Sequence, residues 1–99
     1  MTHLTFKFPL ENLDISKAYL FGSSTKQNGN DFDILFISND FEGVSRMKRR
    51  EKVQLNFLSE NIDPVCISEK EFTRLTKQKS YFLTEILKSA ILIYERQSS

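Results

Sequence analysis

The sequence contains little that would mark a secreted or membrane-spanning protein. Its 99 residues include a single cysteine, Cys66, which excludes a disulfide within the chain and makes the cytoplasm the expected compartment. No stretch approaches the roughly 20 apolar residues that a membrane-spanning helix needs. The first ten residues show no basic flank followed by an apolar run, so we expect no signal peptide.

The chain also lacks a strong excess of either charge. It carries 14 Lys and Arg residues against 13 Asp and Glu residues, a formal net charge of +1. Overall charge therefore argues neither for nor against nucleic acid as a partner. Any such partner would have to be recognised by a local cluster of charge.

What is present is enough aromatic surface for one small core. Residues 1–99 fit a single domain. Nine Phe and three Tyr residues supply much of its core-forming area, because each aromatic side chain can bury about 150–250 Å².

The order of elements predicts an α/β (α+β) fold with a mixed sheet and helices packed on it. Residues 1–13 form an extended N-terminal arm in this interpretation, and residues 95–99 a loose tail. Strands are predicted at 18–21, 31–37, 62–67 and 91–94, and helices at about 42–58, from Ser68 onward, and at 81–89.

The predicted helix ends and faces give more specific expectations. Asn39 or Asp40 would cap the first helix, and Ser68 and Glu71 match a capping box for the second. The apolar face of the first helix would contain Val44, Met47, Leu55 and Leu58.

The basic residues of the first helix have two interpretations. They form a solvated face, or else Arg46 and Arg50, one helical turn apart, contact phosphate, nucleic acid or a protein acceptor. The full set is Arg46, Lys48, Arg49, Arg50 and Lys52.

Two apolar features have simple interpretations. Cys66 lies between Val65 and Ile67 and is expected to be a buried, inert thiol. The helical stripe of Phe82, Leu83, Ile86 and Leu87 is core or oligomer interface.

Acidic residues at strand starts are the main functional signal. Asp31 and Asp33 are two apart on one strand, so their side chains point the same way. The repulsion between them is relieved by a divalent cation, and oxygen ligands with open positions suit Mg²⁺. If the strand that begins at Asp63 lies alongside, three carboxylates can hold two metal ions roughly 3.5–4 Å apart. Gly22 and Ser23 at a strand end could hold phosphate oxygens.

These residues carry a family resemblance. The segments Leu20-Phe21-Gly22-Ser23 and Asn30-Asp31-Phe32-Asp33-Ile34-Leu35 resemble the DNA polymerase β-type nucleotidyltransferase superfamily, and within it the minimal nucleotidyltransferases, which include antitoxins of HEPN-domain toxins. The resemblance implies that Asp31, Asp33 and Asp63 bind two Mg²⁺ ions and carry catalysis. It implies a nucleotide site at Gly22 and Ser23, ATP as the favoured donor, and a partner toxin as the acceptor. Ser24 and Lys26 lie in the loop that follows, and we add them to the expected nucleotide site. Nucleic acid is not favoured as the acceptor.

Other interpretations stay open for each of these residues. Asp31 and Asp33 could cap a loop, Gly22-Ser23 could be a plain tight turn, and Asp63 an ordinary strand-entry residue. Lys26 could be an exposed loop lysine. The whole chain could be a non-catalytic binding module that keeps the fold, or an enzyme that modifies RNA.

Overall fold

A computed structural model describes residues 10, 12–22, 32–58 and 61–97. Within these residues the strands are β1 (Ile15–Phe21), β2 (Phe32–Ser38), β3 (Ile62–Ile67) and β4 (Ile91–Glu95), and the helices are α1 (Arg46–Gln54), α2 (Glu69–Lys77) and α3 (Tyr81–Lys88). A 3₁₀ turn, Asn39–Phe41, follows β2.

The strands form one mixed sheet in the order β3-β2-β1-β4. β1 is antiparallel to both of its neighbours, and β2 is parallel to β3. A parallel pair needs a crossover connection, and α1 lies in the segment that links β2 to β3. The predicted mixed sheet with packed helices is therefore confirmed.

Strand β2 is buried on both faces, which explains its continuous apolar run. Ile34 and Phe36 pack into a cluster that includes Val53 of α1. Leu35 and Ile37 point to the opposite face and pack with a second cluster, which includes Leu83 and Ile86 of α3. The helical stripe of α3 is thus divided, because Leu83 and Ile86 are core whereas Phe82 and Leu87 stay partly exposed.

The helix caps confirm one expectation and correct another. Ser68 and Glu71 form the predicted capping box at the start of α2. The prediction of Asn39 or Asp40 as the cap of α1 is wrong, since the cap is Ser45, whose hydroxyl accepts from the Lys48 amide. Gly43 has a left-handed φ of +74°, which a right-handed helix cannot contain, so α1 begins only after it.

The apolar face predicted for α1 is also wrong. Met47, Leu55 and Leu58 are 72%, 70% and 84% exposed, whereas Arg49 and Val53 are buried. Six of the nine residues of α1 are charged, so its apolar pattern is too weak to select a face. The buried face is instead selected by an arginine that bonds to the neighbouring strand.

Arg49 anchors α1 to the outer edge of the sheet. Its Nη1 donates to the Cys66 carbonyl at 3.0 Å, and its Nε donates to the Val44 carbonyl at 2.8 Å. Its two terminal nitrogens also donate to the two carboxylate oxygens of Glu71 at 2.8 and 3.1 Å. Arg50 donates to the Pro64 carbonyl at 2.7 Å. Because β3 is an edge strand of the sheet that the described residues form, these arginines satisfy carbonyls that would otherwise be open to pairing with another chain.

Replacing Arg49 by Met should lower the free energy of unfolding by about 3 kcal/mol, since it leaves the partners of a buried cation unpaired. The pKa of Glu71 is lowered from 4.5 to about 2, first by its hydrogen bond from Arg49. A carboxyl group whose pKa is lower in the folded than in the unfolded chain stabilises the fold. This contribution is fully present at pH values above the pKa of the unfolded chain, and it is lost as the pH falls through the pKa of the folded state.

Urea titrations at about pH 7 and about pH 3 measure both effects. The difference between wild type and Arg49→Met should shrink at the lower pH. Lys48→Met on the same helix should change stability little at either pH. A difference for Arg49→Met that does not depend on pH would contradict the assigned ion pair.

The predicted loose tail is shorter than expected. Glu95 lies in β4, and the Arg96 amide donates to the Ser16 carbonyl at 2.8 Å. The Arg96 side chain also donates to Asp14 at 2.6 Å. These bonds correct the prediction for residues 95 and 96. At the other end, Leu10 and Leu13 are buried in the core, and positions 1–9 and 11 of the predicted arm lie outside the described residues.

Candidate active site

Two of the three predicted acids lie side by side. Asp33 of β2 and Asp63 of β3 are register partners in the parallel pair. Neighbouring strands lie about 4.8 Å apart, and register partners project from the same face of a sheet. The carboxylates of Asp33 and Asp63 therefore occupy adjacent positions on one face, close to the amino-terminal ends of their strands.

Gly22 comes directly after β1 and touches Asp33. Its preceding residue, Phe21, is the register partner of Asp33. A Cβ atom built on Gly22 would lie 2.6 Å from the Asp33 Oδ2 atom, closer than real Cβ contacts allow, and the φ angle of Gly22 is +72°. Both facts require glycine at this position. The backbone thus approaches a carboxylate at the strand end where the sequence predicts a phosphate-binding turn.

The remaining predicted site residues lie outside the described part of the chain. These are Asp31 and the nucleotide-site residues Ser23, Ser24 and Lys26. Among the residues that are described, no group of three or more His, Cys, Asp or Glu side chains is arranged to hold a metal ion. Asp33 and Asp63 are thus a pair of hard oxygen donors suited to Mg²⁺, and Asp31 stays a prediction as the third.

Asp63 has a cationic neighbour that the sequence interpretation did not assign to it. The Arg50 Nη1 atom donates to the Asp63 Oδ1 atom at 3.1 Å, and both side chains are about half exposed, at 44% and 51%. The same nitrogen also bonds the Pro64 carbonyl. An arginine at this place neutralises Asp63 and would compete with any cation for its oxygen. The two side chains are 13 positions apart in the chain, so no local sequence pattern reveals the pair.

A groove lined by arginines begins beside this ion pair. It has a volume of about 480 Å³ and lies between α1, the edge strand β3, α2 and the start of α3. Its charged walls are Arg46, Arg49, Arg50, Arg74 and Glu71, and Phe82 forms part of its apolar wall. The sequence interpretation singled out Arg46 and Arg50 but missed Arg74, which is on a different helix.

Cys66 is buried and is not poised as a nucleophile at neutral pH. Burial raises the pKa of its thiol to about 12, and the thiolate is the reactive form. The expectation of a buried thiol is confirmed.

Comparisons with known proteins bear on this site. A family model described as polymerase beta, nucleotidyltransferase, matches residues 7–99. No curated protein matches the chain. A crystal structure of a protein from Sulfolobus solfataricus, provisionally described as a nucleotidyltransferase, aligns with a TM-score of 0.57 and 24% identity. The alignment covers 90% of this chain and 68% of that one, and at this identity it shows a shared fold. In the described part of the chain no helix is long and apolar enough to span a bilayer.

Proposed function

The chain belongs to the polymerase beta nucleotidyltransferase family, and we propose that it transfers a nucleoside monophosphate from an NTP to a hydroxyl group. The resemblance to minimal nucleotidyltransferases favours ATP as the donor and AMP as the group transferred. The observation that carries the proposal is the adjacency of Asp33 and Asp63 on one face, with the backbone of Gly22 against the Asp33 carboxylate.

The proposed reaction is a single displacement at phosphorus. The acceptor oxygen forms a bond to the α-phosphorus, the bond from that phosphorus to the oxygen that bridges it to the β-phosphate breaks, and pyrophosphate leaves with the electron pair. The hydroxyl proton passes to the Asp63 carboxylate or to water. Little covalent chemistry is asked of the protein, because such transfers depend mainly on positioning and on neutralisation of charge.

The residues present fit a magnesium site. Asp33 and Asp63 supply carboxylate oxygens on one face, and Mg²⁺ is commonly held by one or two carboxylates together with substrate phosphates. When bound, Mg²⁺ would neutralise charge on the phosphates and on the attacking oxygen. The chain's own part is to hold the two carboxylates in register and to keep the Gly22 backbone clear for the triphosphate.

Transfer from ATP labelled at different positions tests the proposal. The purified protein is incubated with Mg²⁺, a heat-inactivated cell lysate as the source of acceptor, and ATP labelled at either the α- or the γ-phosphate. We expect macromolecular label from α-labelled ATP alone, its loss on chelation of Mg²⁺, and equimolar release of pyrophosphate. Label from γ-labelled ATP alone would indicate a kinase, and label from neither would contradict the proposal.

The ion pair between Arg50 and Asp63 favours a second candidate. A binding module with this fold has no need of a free third acid, and Arg50 already neutralises Asp63. Thermal unfolding with and without ATP and Mg²⁺ separates the two functions, since a ligand at about 100 times its Kd stabilises the native state by about 2.7 kcal/mol. The enzyme should show a raised Tm, and the binding module should show an unchanged one.

A further inference from the structure

We propose that the arginine groove binds a single strand of nucleic acid and presents it at Asp63. The groove is defined by Arg46, Arg50, Arg74 and Phe82 together with the outer face of β3. The proposal rests on the proposed function only where it makes the nucleic acid the acceptor of the transferred nucleotide. Binding of the nucleic acid itself needs neither ATP nor a metal ion.

The charge of the groove is positive although that of the chain is close to zero. Four arginines and one glutamate line it, and the glutamate, Glu71, is fully engaged by a two-pronged bond from Arg49. Arg50 is paired with Asp63 at the end of the groove, so Arg46 and Arg74 set its potential. Since the formal net charge of the whole chain is only +1, this is a local concentration of charge of the kind that attracts a phosphate backbone.

Two of these arginines are available to a ligand. Within the described residues, no ion pair or side-chain hydrogen bond engages Arg46 or Arg74, and both side chains belong to exposed residues. Arg46 and Arg50 are one helical turn apart on α1, a rise of about 6 Å, and Arg74 of α2 lines the same groove. Guanidinium groups bind phosphate oxygens through two parallel hydrogen bonds.

Apolar surface lies between the arginines. Leu75 and Phe82 line the same groove, and Phe82 is 48% exposed. Single strands are bound by basic grooves in which bases stack on aromatic side chains. An acidic protein segment would also use the arginines, but it need not carry a ring for Phe82, whereas every nucleotide of a single strand brings one. The interleaved charge and aromatic surface therefore favour nucleic acid.

The groove lies on the acceptor side of the candidate site. In the sheet order β3-β2-β1-β4, Gly22 follows β1 on one side of Asp33, while Asp63 and the groove lie on the other side. Arg50 belongs to both features, because it lines the groove and bonds Asp63. A phosphate in the groove would compete for Arg50 and so release Asp63 for a metal ion. Binding of the strand and binding of metal would then be coupled through this one side chain.

Fluorescence anisotropy tests the inference with a labelled single-stranded RNA. The RNA has about 12 nucleotides, a length within the usual site sizes for single strands. The buffer contains EDTA and no ATP. The variant Arg46→Glu/Arg74→Glu should bind at least about tenfold more weakly than wild type at about 100 mM salt. The slope of log affinity against log salt should fall by about 1.4, which is about 0.7 for each of the two phosphates that the variant no longer neutralises.

Lys48→Glu/Lys77→Glu is the matched control. It makes the same change in charge on the same two helices, Lys77 shares the last turn of α2 with Arg74, and neither lysine lines the groove. Because this control leaves every groove arginine in place, it should bind within about twofold of wild type. Circular dichroism establishes that both variants fold.

Three outcomes would overturn the inference. These are no binding by wild type, equal weakening in the two variants, or a preference of wild type for an acidic polypeptide such as polyglutamate, which would assign the groove to a protein partner. Because no nucleotide is transferred in this assay, its failure leaves the labelled-ATP result untouched. Conversely, binding without any label transfer would overturn the proposed function alone.

Discussion

Asp33→Asn should lower the rate of nucleotide transfer about a thousandfold, the upper end of what removal of one preorganised polar group costs. Asn keeps the shape of the side chain but removes the charge that would hold a cation beside Asp63. Asp33 is only half-buried and precedes the fully buried part of β2, which includes Leu35 and Phe36, so the stability of the fold should alter little.

Single-turnover transfer of label from α-labelled ATP measures this effect. Asp40→Asn is the matched control, because Asp40 follows the opposite end of β2 and accepts a hydrogen bond from the Asp14 amide, which an amide oxygen can still do. It should transfer at close to the wild-type rate. Equal rates for Asp33→Asn and wild type would remove the catalytic role of this carboxylate.

Gly22→Ala should lower transfer at least about a hundredfold, because displacement of a reacting group by about 1 Å costs this much. The new methyl group would start 2.6 Å from the Asp33 Oδ2 atom, so either the carboxylate or the backbone must move. The left-handed φ of +72° adds a strain of about 1–2 kcal/mol.

Gly43→Ala separates the strain from the displacement. Gly43 has nearly the same φ, +74°, but a Cβ atom there meets nothing within 4 Å. Both variants should lose stability in a urea titration, and only Gly22→Ala should lose transfer activity. If the two variants keep equal activity, contact between Gly22 and Asp33 has no part in catalysis.

Elements whose signals are local were the most predictable from the sequence. Strand β3 was expected at 62–67 and occupies Ile62–Ile67, because a short apolar run and the following cap at Ser68 define both of its ends. The cap works through atoms only three residues apart, with the Glu71 amide donating to the Ser68 hydroxyl. Such contacts depend on neither the rest of the sheet nor its register.

Features that depend on distant contacts could not be predicted in this way. Arg49 alone among the basic residues of α1 is buried, yet nothing in the local sequence distinguishes it from the others. Its partners, Cys66 and Glu71, lie 17 and 22 residues away in the chain. The pair of Arg50 and Asp63 arises in the same way. The position of Asp63 beside Asp33 could be expected only on the condition that their strands were neighbours.

Anomalous diffraction from crystals soaked in Mn²⁺ and a non-hydrolysable ATP analogue tests whether Asp33 and Asp63 form one metal site. We expect a manganese peak bound by both Asp33 and Asp63, with the Arg50 guanidinium withdrawn from the Asp63 carboxylate. A structure with bound analogue, no manganese at these carboxylates and Arg50 still paired with Asp63 would contradict this expectation.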